Sequence, residues 1–185
     1  MTILVDCDDV LEQLVAAWVE YNNLHFGTDV SVDDVTDWDL SIAFPTLTEE
    51  QLFQAERDDA LWYNVQPMPG ASETLQKLIA GGHEIFLVTA TRYETVKSKM
   101  ENVVFKYFPF IDWDHVIITT RKQMIKGDVL IDDGPHNMQG GEYKKILFDA
   151  RHNRNFDESS VGAVRVHNWE EAYEQVLRIA EELNK

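Results

Sequence analysis

Short apolar runs recur along the whole chain, and several stop abruptly at an acidic or hydroxyl residue. They predict strands near 2–6, 84–88, 115–118, 128–131, 145–149 and 163–166. The runs are rich in Ile, Val, Leu and Phe and do not alternate with polar residues, which is the pattern of strands covered on both faces. Helical spacing fills gaps between them. Residues 71–80 follow Pro69-Gly70 and stop at Gly81-Gly82, a C-terminal signal. Residues 93–107 carry Val96, Met100, Val103, Val104 and Tyr107, and 169–183 carry Ala172, Val176, Ile179 and Leu183 at the same spacing. Strands alternating with helices indicate an α/β, doubly wound parallel sheet of Rossmann type.

One stretch breaks the alternation. About 60 residues separate Asp6-Cys7-Asp8 from Pro67-Met68-Pro69-Gly70, with helical patterns at about 10–25 and 49–61 and no core strand. Thr48-Glu49-Glu50-Gln51 opens the second with capping-box spacing. The expected organisation is a core of residues 1–11 and 67–185, with residues 12–66 as a small helical cap inserted after the first strand. Ligands bind at the C-terminal edge of an open parallel sheet, and the cap is expected to cover that edge.

The strand ends carry the chemistry. The first run, Ile3-Leu4-Val5, ends in Asp6-Cys7-Asp8, and Val129-Leu130-Ile131 ends in Asp132-Asp133. Alone, Asp-x-Asp is equally a loop of solvated acids, and Asp132-Asp133 before Gly134-Pro135 is equally a solvated turn. Together the four carboxylates repel one another, and a divalent cation would offset that repulsion. Thr89 closes the run Ile85–Val88, with small and hydroxyl residues and Arg92 following. Lys122 and Lys126 are candidates to neutralise phosphate. The set points to Mg²⁺-dependent phosphoryl transfer. Asp6 and Asp8 are the candidate nucleophile and acid–base pair. Of Asp132 and Asp133, one is expected to ligate metal and the other to support it, because adjacent strand side chains diverge.

Acidic residues outnumber basic ones 33 to 16, for a formal charge of −17. That field disfavours a nucleic acid polymer or an anionic membrane as partner. No apolar run has the length of a membrane span, and the N-terminus enters a strand with no basic region. The single cysteine, Cys7, reads as a small buried residue in a reducing compartment, so the expected location is the cytoplasm. The six histidines are scattered and read as surface or locally hydrogen-bonded. The five tryptophans read as core, except Trp38. It lies in the polar segment Asp37-Trp38-Asp39, where its ring could stack on a base.

The order Asp6-x-Asp8, Thr89, Lys122, Asp132-Asp133 resembles the haloacid dehalogenase-like (HAD-like) phosphohydrolases. The segments Ile3–Leu11, Pro67–Ala71, Val129–Asp133 and Leu147–Asn153 are similar to the 5'(3')-deoxyribonucleotidase branch. The resemblance implies that Asp6 is the nucleophile, forming an aspartyl-phosphate. Asp8 would protonate the leaving oxygen and then activate water, and Thr89 and Lys122 would hold the phosphoryl oxygens. Mg²⁺ would sit on Asp6, the Asp8 carbonyl and Asp133, with Asp132 supporting. Leu14, Trp38 and Arg92 are the candidate substrate contacts. Asp9 stands where the branch has glycine, Ala90 where it has a hydroxyl residue, and Leu14 and the Trp38 loop where aromatic residues clasp the base. The expected substrate is a small phosphate ester, a deoxynucleoside monophosphate foremost. Another phosphate ester, or a non-catalytic domain that keeps the fold for binding, are the competing readings. The oligomeric state is open and a homodimer is admitted.

Overall fold

In a computed structural model of the chain, residues 1–183 are described. The six strands are β1 (Thr2–Val5), β2 (Glu84–Thr89), β3 (Val116–Ile118), β4 (Val129–Asp132), β5 (Lys144–Phe148) and β6 (Ala163–Val166). All pairings are parallel, and the spatial order is β3-β2-β1-β4-β5-β6. The order reverses between β1 and β4, so the chain leaves these two central strands in opposite directions. Such a switch point opens a crevice at the C-terminal edge.

Both faces of the sheet are buried, which explains the unbroken apolar runs. Ile3, Val5, Ile85, Leu87, Val129 and Ile131 point to one face with Leu75, Phe108, Trp169 and Val176. That face is covered by helix α5 (Ala71–Ala80), the 93–108 segment and helix α8 (Trp169–Leu183). Leu4, Val88, Leu130 and Leu147 point the other way, against Met138 and Tyr143. Short 3₁₀ turns at Lys122–Met124, Pro135–Met138 and Glu158–Val161 follow the strands on this side.

The helices at 71–80 and 169–183 match the sequence reading, whereas the 93–107 segment is irregular. It runs from a 3₁₀ turn through α6 (Val96–Lys99) and a π-helical turn, Met100–Val104, into α7 (Phe105–Tyr107). A π turn accommodates one extra residue in the helix and is enriched near functional sites.

The insertion after β1 holds α1 (Leu14–Phe26), α2 (Leu40–Ala43), α3 (Glu49–Leu52) and α4 (Asp59–Asn64). The first helix starts at Leu14 rather than near 10, because Asp9 sits at φ 52° and Leu11 N–H donates to Cys7 O at 2.9 Å, a tight turn. The expected 49–61 helix is split in two. Thr48 caps the first piece with the capping box read from the sequence. Asp58, in extended conformation, caps a new helix by accepting from Ala60 N–H. The insertion has its own apolar contacts, Trp18 with Ala55, Leu61 and Trp62 among them. Its entry and exit run side by side, with Gln13 N–H donating to Gln66 O (2.9 Å) and Met68 N–H to Leu11 O (2.7 Å).

Candidate active site

The register of β1 and β4 builds the site. Val5 is level with Ile131, and Asp6 N–H donates to Ile131 O at 2.9 Å. Asp6 therefore leaves the sheet beside Asp132, the last residue of β4. The carboxylates of Asp6, Asp132 and Asp133 each offer an oxygen, and these atoms lie within 4.8 Å of one another. All three residues are buried. Thr89 ends β2 on the other side of β1.

Lys122 arrives from the turn after β3 and is buried. Its Nζ lies 2.7 Å from Asp6 Oδ1 and 2.7 Å from Asp132 Oδ2. Burial lowers its pKa, but the two carboxylates outweigh burial and raise it above the ordinary lysine value. Lys126 lies elsewhere, beside Thr2 and Asp128 at the N-terminal edge of the sheet.

Asp132 is saturated by protein. Besides Lys122, its Oδ1 accepts from Gly134 N–H (2.8 Å) and Asn137 Nδ2 (3.0 Å). The turn is tight enough that a Cβ on Gly134 would lie 2.9 Å from Asn137 Nδ2. Asp133 is different. His152 Nε2 lies 2.7 Å from its Oδ2, while Oδ1 is buried with no hydrogen-bond partner among the described residues. An orphaned carboxylate oxygen of that kind, on a residue clustered with two other carboxylates, suits a hard divalent cation. Asp6 keeps one oxygen available. Its Oδ1 accepts from Cys7 N–H (2.8 Å) and meets Lys122, and no donor among the described residues reaches Oδ2. Burial raises the pKa of Asp6 well above the ordinary carboxylate value, against the pull of Lys122. Burial also raises Asp133, with His152 opposing it. A bound cation reverses this logic by favouring the ionised carboxylates.

Asp8 does not join that cluster. Lys99 Nζ lies 2.5 Å from Asp8 Oδ1 and donates to Thr89 Oγ1 at 2.9 Å. Burial would raise the Asp8 pKa, but Lys99 and the Glu12 carboxyl bring it below the usual value. Glu12 is 1% exposed. Burial, and then the charge of Asp8, push the pKa of its carboxyl well up. Asp9, where the resemblance has glycine, holds a left-handed conformation that glycine adopts freely. Its Oδ1 accepts from Val15 N–H at 3.2 Å, which helps start α1.

Between sheet edge and insertion lies a cavity of about 900 Å³. Asp8, Ala90, Asp133 and His152 line it from the core, and Leu14, Trp18, Trp38, Leu52 and Phe53 from the insertion. Asp6 and Thr89 are buried and do not line the cavity. Trp38 is 55% exposed, with its ring edge-on to His136 and His152 at 4.9 Å each. Arg92 is not among the lining residues. Its Nε lies 2.8 Å from Glu56, a carboxylate of the insertion, and its guanidinium lies over the Phe53 ring.

The structure thus groups Asp6, Lys122, Asp132 and Asp133, joins Asp8 to Thr89 through Lys99, lines the cavity with Leu14 and Trp38, and turns Arg92 toward Glu56. Sequence reasoning missed Lys99 and Glu12 and took His152 for one of six unremarkable histidines. Cys7 is buried as read. Trp113 is 54% exposed rather than core, since it sits in the turn leading to edge strand β3.

Residues 1–182 match the family described as 5' nucleotidase, deoxy (pyrimidine), cytosolic type C protein. The chain is similar to the 5'(3')-deoxyribonucleotidase of Bacillus subtilis (strain 168), at 35% identity over 177 residues, covering 95% of this chain and 98% of that one. It is similar to the 5'(3')-deoxyribonucleotidase of Clostridium acetobutylicum at 29% over 171 residues, covering 92% of each. In fold it matches a HAD family hydrolase from Deinococcus radiodurans R1, solved with bound phosphate and sodium, at a TM-score of 0.66 and 14% identity over 97% of this chain and 96% of that one. A haloacid dehalogenase-like protein from Agrobacterium tumefaciens matches at a TM-score of 0.62 and 18% identity, over 97% of this chain and 98% of that one.

Proposed function

The chain belongs to the 5' nucleotidase, deoxy (pyrimidine), cytosolic type C protein family of phosphoric monoester hydrolases, and we propose that it is a Mg²⁺-dependent 5'(3')-deoxyribonucleotidase working through an aspartyl-phosphate on Asp6. The observation that carries this reading is the buried set at the switch point. Three carboxylates lie within 4.8 Å of one another, one of them with an orphaned oxygen, and a lysine is clamped on the other two.

Each residue then has a role. Asp6 Oδ2, which no donor among the described residues reaches, attacks phosphorus as the P–O ester bond breaks. Lys122 fixes the other Asp6 oxygen, so the nucleophile is presented in one orientation. Asp8, whose pKa Lys99 lowers in the free protein, takes a proton brought by the bound phosphate monoester and passes it to the leaving nucleoside oxygen. Water then attacks the aspartyl-phosphate, gives its proton to Asp8, and releases phosphate and the Asp6 carboxylate. Thr89 donates to a phosphoryl oxygen. Asp133 and Asp6 would hold Mg²⁺, which neutralises phosphoryl charge when bound. Asp132 orients Lys122.

Residues 12–66 are assigned as the cap and residues 1–11 with 67–185 as the catalytic core. The cap supplies the apolar and aromatic wall of the cavity, suited to a base. Among the described residues no helix is long and apolar enough to cross a membrane. A cytoplasmic address belongs to the same proposal, supported by the buried free thiol of Cys7.

The test is a substrate panel of deoxynucleoside, ribonucleoside and sugar monophosphates, with Mg²⁺ and with chelator. Deoxynucleoside monophosphates should give the highest kcat/KM, and chelator should abolish it. Higher kcat/KM on a sugar phosphate would move the reading to another small phosphate ester. No hydrolysis of any member would leave a binding protein.

A further inference from the structure

Lys99 is 1% exposed, and burying an ammonium in the protein interior is costly unless it is fully compensated. Here the compensation is specific. Nζ reaches Asp8 Oδ1 and Thr89 Oγ1, and it lies 5.7 Å from the centre of the Trp62 ring. The lysine closes α6 immediately before the π turn. It therefore ties three elements together: the loop after β1, the end of β2, and the helix that packs on the cap through Val103.

We propose that Lys99 is a positioning residue for proton transfer: it fixes the carboxyl of Asp8 over the reacting centre and turns the Thr89 hydroxyl into a donor. The chemistry follows from what an ammonium can do. It donates and never accepts. One Asp8 oxygen is held, which removes the rotational freedom that would carry the carboxyl away from the leaving oxygen. The Thr89 oxygen is engaged as an acceptor, so its hydrogen points away from Lys99. Lys122 cannot substitute, because its Nζ is committed to Asp6 and Asp132. The two lysines divide the work, with Lys122 serving the nucleophile and Lys99 the acid–base group. This inference rests on the phosphatase reading above, and its test is chosen to be independent of the deoxynucleotide preference.

The experiment uses a series of substituted phenyl phosphates, from p-nitrophenyl phosphate to phenyl phosphate, in saturating Mg²⁺. A good leaving group departs without a proton, and a poor one needs it. For Lys99→Met, kcat/KM on phenyl phosphate, which reports the step that expels the leaving group, should fall about 10²-fold or more, within the usual range for general acid catalysis. On p-nitrophenyl phosphate it should fall at least about tenfold less. Lys99→Arg, which keeps charge and donors, should restore part of the loss on phenyl phosphate. Lys99→Gln, which keeps a donor without charge, provides a second reading if the methionine variant melts below the assay temperature. Equal losses in kcat/KM across the series in a folded variant would overturn the proposal. Wild-type enzyme that hydrolyses the phenyl series but no deoxynucleotide would refute the substrate assignment and leave this test intact.

Discussion

At the scale of single residues, each role has its own signature. Asp6→Asn should abolish turnover because an amide is not a nucleophile, and no phosphoenzyme should form. Asp8→Asn should slow turnover about 10²–10⁴-fold while phosphoenzyme still accumulates with a good leaving group. Phosphate trapped on folded Asp6→Asn protein would refute the covalent step. Trp38 provides the second test at this scale. With 55% of its surface exposed, its indole has area to give to a ligand. Base stacking is worth roughly 1–3 kcal/mol, about 5–150-fold. Trp38→Ala should therefore lower kcat/KM for a deoxynucleoside monophosphate by that factor, with p-nitrophenyl phosphate changed little. Equal losses on both substrates, with an earlier melt, would make Trp38 a packing residue that joins His136 and His152 to the cap.

At the scale of elements, a polar cluster centred on Arg165 of β6 joins that strand to the loop after β5. Arg165 Nη1 donates to Asp149 Oδ1 (3.0 Å) and to Asn153 Oδ1 (2.7 Å), and Arg154 donates to Asp149 Oδ2. Asn153 in turn donates to the carbonyl of Asp133 at 2.8 Å, so the cluster braces the loop that carries the candidate metal ligand. Burial would raise the Asp149 pKa, but the two arginines outweigh it and hold the carboxyl below its ordinary value of 3.8. A depressed folded-state pKa means that the ionised form stabilises the fold. That stability is complete above the unfolded-state value and is lost as pH falls from about 4 through the folded-state value. Urea unfolding at stepped pH should show this loss in wild type and a shallower one in Asp149→Asn. Identical acid slopes for the two proteins would show that the cluster does not couple to folding.

For the whole molecule, the largest unbalanced feature is the charge at the switch point. Three buried carboxylates face one lysine there, within a chain of formal charge −17. A divalent cation binding only the folded state stabilises it by mass action, about 2.7 kcal/mol at a hundredfold excess over Kd. For a chain of this size that corresponds to about 5–10 °C in Tm. Mg²⁺ should raise Tm by that order, EDTA should return it, and Asp133→Asn should abolish the shift. A shift that survives in Asp133→Asn would place the cation elsewhere.

Much of this architecture was legible in the chain itself. Apolar runs without alternation required strands buried on two faces, and acids at their ends marked the edge where ligands bind, because burial and strand propensity both disfavour Asp inside a sheet. Thr48 and Gln51 announced their helix cap locally, through contacts three residues apart. Long-range features were not legible. Lys99 and Lys97 look alike in sequence as lysines two apart on one helical stretch, and only the packing against β1 and β2 makes one of them buried. Glu12 and His152 lie 140 residues apart, and each owes its place at the site to loops that converge only in the folded sheet. The break in the 49–61 pattern depends on Asp58, whose carboxylate is held by the Tyr21 hydroxyl at 2.9 Å from α1. Local periodicity and turn chemistry are properties of a few neighbouring residues, so the sequence alone determined the strands, their polarity at the edge and the motif order. Burial of a charge is a property of everything around it, so tertiary structure alone decided which lysine meets which carboxylate.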